Sequence, residues 1–219
     1  MIYTSDEQKL LTIFAEGNIF REESLKRLDK HPGAIGLLVE EICKLNGFDV
    51  KSTGVDIPKM GLEIKTRKKD SQSATNWGST NQNDIMNSLT FYDSDLFAKL
   101  IKQLRIVWKE DYIKIDNTLQ WGGVIVSSKI IDLTDPILDY ESEFRNLYEY
   151  AKVVLHKNPD AKYIRPRHGV KRGDVSRFYL ERNGRTNTFQ VRSTETQLDK
   201  IMNVTHTNIL NQFFQKDNT

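Results

Sequence analysis

Apolar residues recur at Ile35, Leu38, Val39, Ile42 and Leu45, the three-and-four spacing of one helical face. They predict a helix from about Ala34 to Leu45, which Gly47 ends. Leu96, Leu100 and Leu104 predict a second helix over Asp95 to Leu104, and Phe144, Leu147, Tyr148, Ala151 and Leu155 a long one over Ile137 to His156, opened by Pro136. Ser5-Asp6-Glu7-Gln8 reads as a capping box that starts a helix running to about Ala15. Glu22 to Leu28 and Thr194 to Phe214 read as further helices. Short β-type runs fall at Gly61–Thr66, Arg105–Lys109, Tyr112–Ile115 and within Gly122–Leu133, followed by basic strands at Tyr163–Arg165, Arg177–Glu181 and Thr188–Arg192. Between them, residues 70–88 are rich in Ser, Asn, Gln and Thr and read as a long polar loop holding Trp77. The pattern is mixed α/β, a mixed sheet flanked by helices.

At 219 residues the chain is long enough for one sizeable domain, read as residues 1–219. No apolar run approaches the ~20 residues that span a bilayer, so no membrane partner is expected. The lone Cys43 lies on an apolar helical face and reads as a buried thiol. With no disulfide possible within the chain and no signal-like start, a cytoplasmic location is expected.

The net charge of +2 hides a segregation. Residues 132–149 carry six acids against Arg145 alone, whereas residues 162–192 carry nine Lys or Arg, Arg165, Arg167, Lys171, Arg172 and Arg177 among them, against Asp174 and Glu181. A basic block suits a polyanion such as nucleic acid; a solvated surface loop is the other reading.

One short stretch carries chemistry. Asp56 precedes a turn, and Glu63-Ile64-Lys65 follows inside an apolar strand. Alternation puts Glu63 and Lys65 on one face of that strand. Two carboxylates beside an amine can hold Mg²⁺ against a phosphodiester: Asp56, Glu63 and the Ile64 carbonyl as ligands, Lys65 to position water or neutralise developing charge. A solvated Glu-x-Lys ion pair is the plain alternative. Three neighbours bear on the choice: the cost of charge in an apolar strand, the flanking Lys59, Arg67, Lys68 and Lys69, and Glu40 on the helix upstream.

Taken together, Gly33-Ala34-Ile35-Gly36-Leu37-Leu38-Val39-Glu40, then Asp56, then Gly61-Leu62-Glu63-Ile64-Lys65-Thr66 resemble the MutH family, which unites a mismatch-repair nicking enzyme with type II restriction enzymes of the PD-(D/E)xK class. Ala98-Lys99-Leu100, Tyr163-Ile164-Arg165-Pro166-Arg167 and Arg177-Phe178-Tyr179-Leu180 are similar to further family segments in the same order, covering residues 33 to 180. Pro32 stands where the family often has Lys, and Arg167 where it has Lys.

The resemblance implies a restriction-endonuclease-like core with two lobes around a DNA cleft, catalytic over 1–130 and DNA-recognising over 131–219. It implies metal at Asp56 and Glu63, catalytic Lys65 and Lys99 supported by Glu40, and DNA contacts from Arg165, Arg167 and Tyr179. The expected activity is Mg²⁺-dependent, sequence-specific cleavage of double-stranded DNA, at a GATC-like site, by a monomer or a homodimer on DNA. The alternatives are a nicking enzyme activated by repair partners and a DNA-binding module without cleavage. Lys171 and Arg172 read as a phosphate-contacting loop or a solvated turn. The tryptophans read as anchors, with Trp77 the one placed to approach DNA. The four histidines lack zinc-ligand spacing, and no phosphate-cradling glycine loop indicates ATP.

Overall fold

In the computed structural model, residues 3–20, 34–69, 71, 74–115, 117–135, 140–167, 176–184, 187–193 and 202 are described. The expected helix at Glu22–Leu28, that at Thr194–Phe214 apart from Met202, and Lys171 and Arg172 lie outside them. The architecture is mixed α/β: two four-stranded sheets flanked by helices.

Helix α1 (Ser5–Ile13) starts one residue earlier than expected. Thr4, not Ser5, is the N-cap: its backbone N–H donates to Glu7 Oε2 at 2.7 Å, and Glu7 N–H returns a bond to Thr4 Oγ1. Glu7 is buried there and also pairs with Lys102, which fixes the choice between adjacent hydroxyl residues. After β1 (Ile19–Phe20), helix α2 spans Ala34–Leu45, as its apolar stripe requires, and Gly47 follows with the positive φ of 87° that glycine allows.

The first sheet has the order β1-β5-β4-β2, formed by β1, β2 (Glu63–Lys68), β4 (Lys102–Ile115) and β5 (Thr118–Asp132). β4 is one continuous strand where two were expected, because a hairpin with β5 pairs it along its whole length. β2 runs parallel to β4, so the chain must leave the sheet and return. On that excursion it makes β3 (Thr75–Asn81), α3 (Gln82–Asn87) and α4 (Asp95–Ile101).

The expected polar loop over 70–88 is therefore β3 and α3 in large part. Trp77 is not a surface residue: it is 0% exposed, with Nε1 donating to Ser193 Oγ at 2.6 Å and its ring edge-on to Phe178. β3 forms the edge of the second, antiparallel sheet, order β3-β8-β7-β6, with β6 (Tyr163–Ile164), β7 (Phe178–Arg182) and β8 (Thr188–Ser193). Helix α5 (Glu141–Lys157) buries Phe144, Leu147, Tyr148, Ala151 and Leu155 against that sheet.

Each sheet has its own core. Leu10, Val39, Cys43, Leu62, Ile64 and Leu104 belong to the first, and Trp77, Phe144, Phe178 and Phe189 to the second. Since β3 and Leu96 and Leu100 of α4 serve the second core, the two cores interleave along the chain. Cys43 is buried as expected, and burial pushes its thiol up to about 12. No described helix is long and apolar enough to cross a membrane.

Candidate active site

The segment before β2 is a tight fold-back. Ile57 and Leu62 exchange backbone hydrogen bonds around a 3-10 turn at Pro58–Met60, and Gly61 closes it with a φ of 57°. This returns Asp56 to the start of β2, where its Oδ2 accepts the Ile64 N–H at 2.6 Å. β2 is the edge strand of its sheet. A strand residue points its N–H and C=O to the same side, so the Ile64 carbonyl faces the same open edge as Asp56.

Glu63 and Lys65 project together, as alternation predicts: Lys65 Nζ donates to Glu63 Oε1 at 2.5 Å. Leu62 and Ile64 are buried in the first core. Glu63 is itself only 5% exposed, and its other oxygen, Oε2, is buried without a hydrogen-bond partner. Lys99, in the last turn of α4, donates to the Ser79 carbonyl at 3.4 Å, close enough for its charge to favour ionised Glu63. Glu40 on α2 faces the same region.

The carboxylates feel one another. Burial, and then repulsion from Asp56 and Glu63, raises Glu40 above the ordinary glutamate range. Burial raises Glu63 as well, with Asp56 adding to the shift and Lys65 opposing it. A cleft of about 390 Å³ opens beside them. Glu40, Asp56 and Ile64 line one part; Lys65, Thr66, Arg67 and Lys68 of β2, Ser71, Thr75 and Asn76 of the β3 segment, and Arg105 of β4 line the rest. The cleft thus lies between the first sheet and the edge of the second.

The residues present fit a divalent cation of the Mg²⁺ kind. An orphaned buried carboxylate oxygen and mutually repelling acids are relieved by a cation. Among the described residues no group of three or more His, Cys, Asp or Glu closes into a cage. Mg²⁺ needs none, since it binds through one or two carboxylates and keeps waters and phosphate oxygens for the rest.

Arg105 was missed in the sequence. Parallel register sets it directly beside Lys65, and Gln103 beside Glu63. Arg105 is 3% exposed, its guanidinium lies 4.2 Å over the Trp77 ring, and burial pulls it down to about 9. The available signal was charge inside an apolar strand, the same one that singled out Glu63 and Lys65.

The expected DNA-contacting residues stand elsewhere. Arg165 donates through Nε to the Ser176 carbonyl at 2.8 Å and lies 5.5 Å over the Tyr179 ring, which stacks at 4.9 Å on exposed Tyr163. Tyr163, two residues before Arg165, was not singled out. Arg167 is exposed. Arg177 is engaged within the fold: it pairs with Glu143 and lies 4.5 Å over Tyr140. This cluster occupies the β6–β7 edge, three strands from β3 and so about 14 Å across the sheet from the cleft.

No protein-family model matches the chain, and no curated protein matches it significantly.

Proposed function

We propose that this protein is a Mg²⁺-dependent, sequence-specific endonuclease of double-stranded DNA, with a PD-(D/E)xK-type core. The observation that carries the reading is the buried, partnerless Oε2 of Glu63 at an edge strand shared with Lys65 and faced by Asp56. A solvated ion pair, the plain reading of Glu-x-Lys, leaves no carboxylate oxygen both buried and unsatisfied.

In this proposal Asp56, Glu63 and the Ile64 carbonyl hold the cation, and Glu40 supports them. A cation held there would supply Lewis-acid chemistry, making a ligated water more acidic and offsetting negative charge on the phosphate. Lys65 positions the attacking water or neutralises the charge that develops on the phosphate, and Lys99 steadies the charge of Glu63. Arg165 and Arg167 offer guanidinium forks suited to guanine edges, and Tyr179 and Tyr163 offer aromatic faces. One such site per chain cuts one strand. This favours a nicking enzyme as the second reading, with double-strand cutting requiring a second copy or rebinding.

The test is incubation of unmethylated and adenine-methylated plasmid with Mg²⁺, sequencing of the ends, and Lys65→Ala as control. Defined ends that vanish in the variant are expected. Unchanged cleavage by Lys65→Ala overturns the site.

A further inference from the structure

The cleft is larger than its acidic end requires. Its lining carries two carboxylates, Glu40 and Asp56, against four cations: Lys65, Arg67, Lys68 and Arg105. A volume of about 390 Å³ is in the range of cavities that enclose small organic ligands, and exceeds one phosphate group.

Arg105 is the unusual member. Its side chain is nine-tenths buried or more, yet the two groups it bonds are neutral: the Asn76 carbonyl at 3.0 Å and Gln103 Oε1 at 2.6 Å. Its Nε is buried with no partner. Gln103 is fixed in turn by donating to the carbonyls of Trp77 and Lys99. The charge of Glu63 favours this buried guanidinium from the neighbouring strand, but no carboxylate bonds it, so it remains costly unless a further anion approaches. Ahead of it, Arg67 is held at the cleft wall by Thr75 Oγ1 and the Ser71 carbonyl, each at 2.7 Å. The hydroxyls of Thr66 and Ser71 line the same wall.

We propose that the Arg67–Arg105 end of the cleft is a second phosphate subsite, which holds the backbone phosphate next to the one that is cut. Arg67 meets the phosphate at the wall, and Arg105 supplies fixed positive charge behind it as a positioning residue. Substrate is then gripped at two successive phosphates, with the scissile one aligned at the acidic end. This deepens the endonuclease reading and rests on it.

The test needs no knowledge of the recognition sequence. Thymidine 3′,5′-bisphosphate carries two phosphates one nucleoside apart. Its binding to the full chain is measured by calorimetry with Ca²⁺ present, alongside thymidine 3′- and 5′-monophosphates. The bisphosphate is expected to bind about tenfold tighter than either monophosphate, the size of one charge-assisted contact. Arg67→Gln, and Arg105→Lys where thermal melting shows it folded, are expected to abolish most of that preference while monophosphate binding persists. Equal binding of bisphosphate and monophosphates by the wild type overturns the subsite, as does a preference that survives Arg67→Gln. The nuclease reading fails separately: a preference lost in Arg67→Gln in a protein that cuts no plasmid leaves the subsite standing and removes the endonuclease.

Discussion

Two arginines, one from each sheet, are held in opposite ways. Arg182 on β7 donates to the Ala161 carbonyl at 3.1 Å, to Gln82 Oε1 at 2.8 Å, to the Pro159 carbonyl and to the Asn187 side chain, and lies 4.6 Å over Phe189. Arg105 on β4 has two neutral acceptors and a buried Nε with none. Among the described residues, Glu63 Oε2, Arg105 Nε and Arg192 Nε are the buried side-chain atoms without a hydrogen bond, and Arg192 Nε still lies 3.3 Å from the Glu181 carboxylate. Glu63 and Arg105 are on adjacent strands of the first sheet, and Arg105 lines the cleft. In the second sheet Arg182 is held by four acceptors and even the orphaned Arg192 Nε has a carboxylate beside it, whereas Glu63 Oε2 and Arg105 Nε lie on neighbouring strands without a hydrogen-bond partner.

The largest expected effect breaks the unsatisfied end. Lys65→Ala should lower plasmid cleavage about 10³-fold, the scale of losing a positioned proton-transfer or charge-stabilising group. Its melting should stay cooperative. Arg182→Ala should do the reverse: a loss of about 2–3 kcal/mol in urea unfolding, since four acceptors lose their donor, with cleavage by the folded fraction retained. Equal losses of activity in both folded variants would erase the distinction between the sheets.

How far this division could be read in advance depends on whether its signals are local. The α2 stripe and the Glu63–Lys65 alternation each depend on a few consecutive residues, and both were legible. β3 was not. Thr75-Asn76-Trp77-Gly78-Ser79-Thr80-Asn81 has no apolar alternation, and it is a strand because β8 pairs with it from more than a hundred residues away. Trp77 looked like a loop residue for the same reason. Arg105 carried a local signal, charge inside an apolar strand, but its place beside Lys65 comes from a parallel pairing that no local pattern encodes. Tyr163 was within reach, being on the same strand face as Arg165 by alternation.

A smaller effect sharpens the contrast between Arg182 and the half-buried Arg165 just past β6. Arg165→Ala should cost about 1–3 kcal/mol in binding to the cut sequence and far less on a scrambled duplex, as expected of a base-reading fork. Duplex titrations at two salt concentrations measure it. Equal losses on both duplexes would reduce Arg165 to a backbone contact.

The smallest effect concerns the acids. Glu40 is raised by burial first and by Asp56 and Glu63 second. A carboxylate whose folded pKa exceeds its unfolded value of about 4.3 subtracts stability as pH rises past that value, and the penalty is complete above the folded pKa. Lowering the pH returns it. Glu40→Gln removes the penalty, so in chelator at neutral pH the variant should melt slightly higher than wild type, with the difference closing toward pH 4. If the proposed site takes a divalent cation through its ionised carboxylates, Mg²⁺ should reverse the ranking: it should raise the wild-type melting temperature more at pH 8 than at pH 6, and raise that of Glu40→Gln less at both. A variant that melts below wild type in chelator at pH 7 would make Glu40 part of the scaffold, and the repulsion around Glu63 would then need no cation to relieve it.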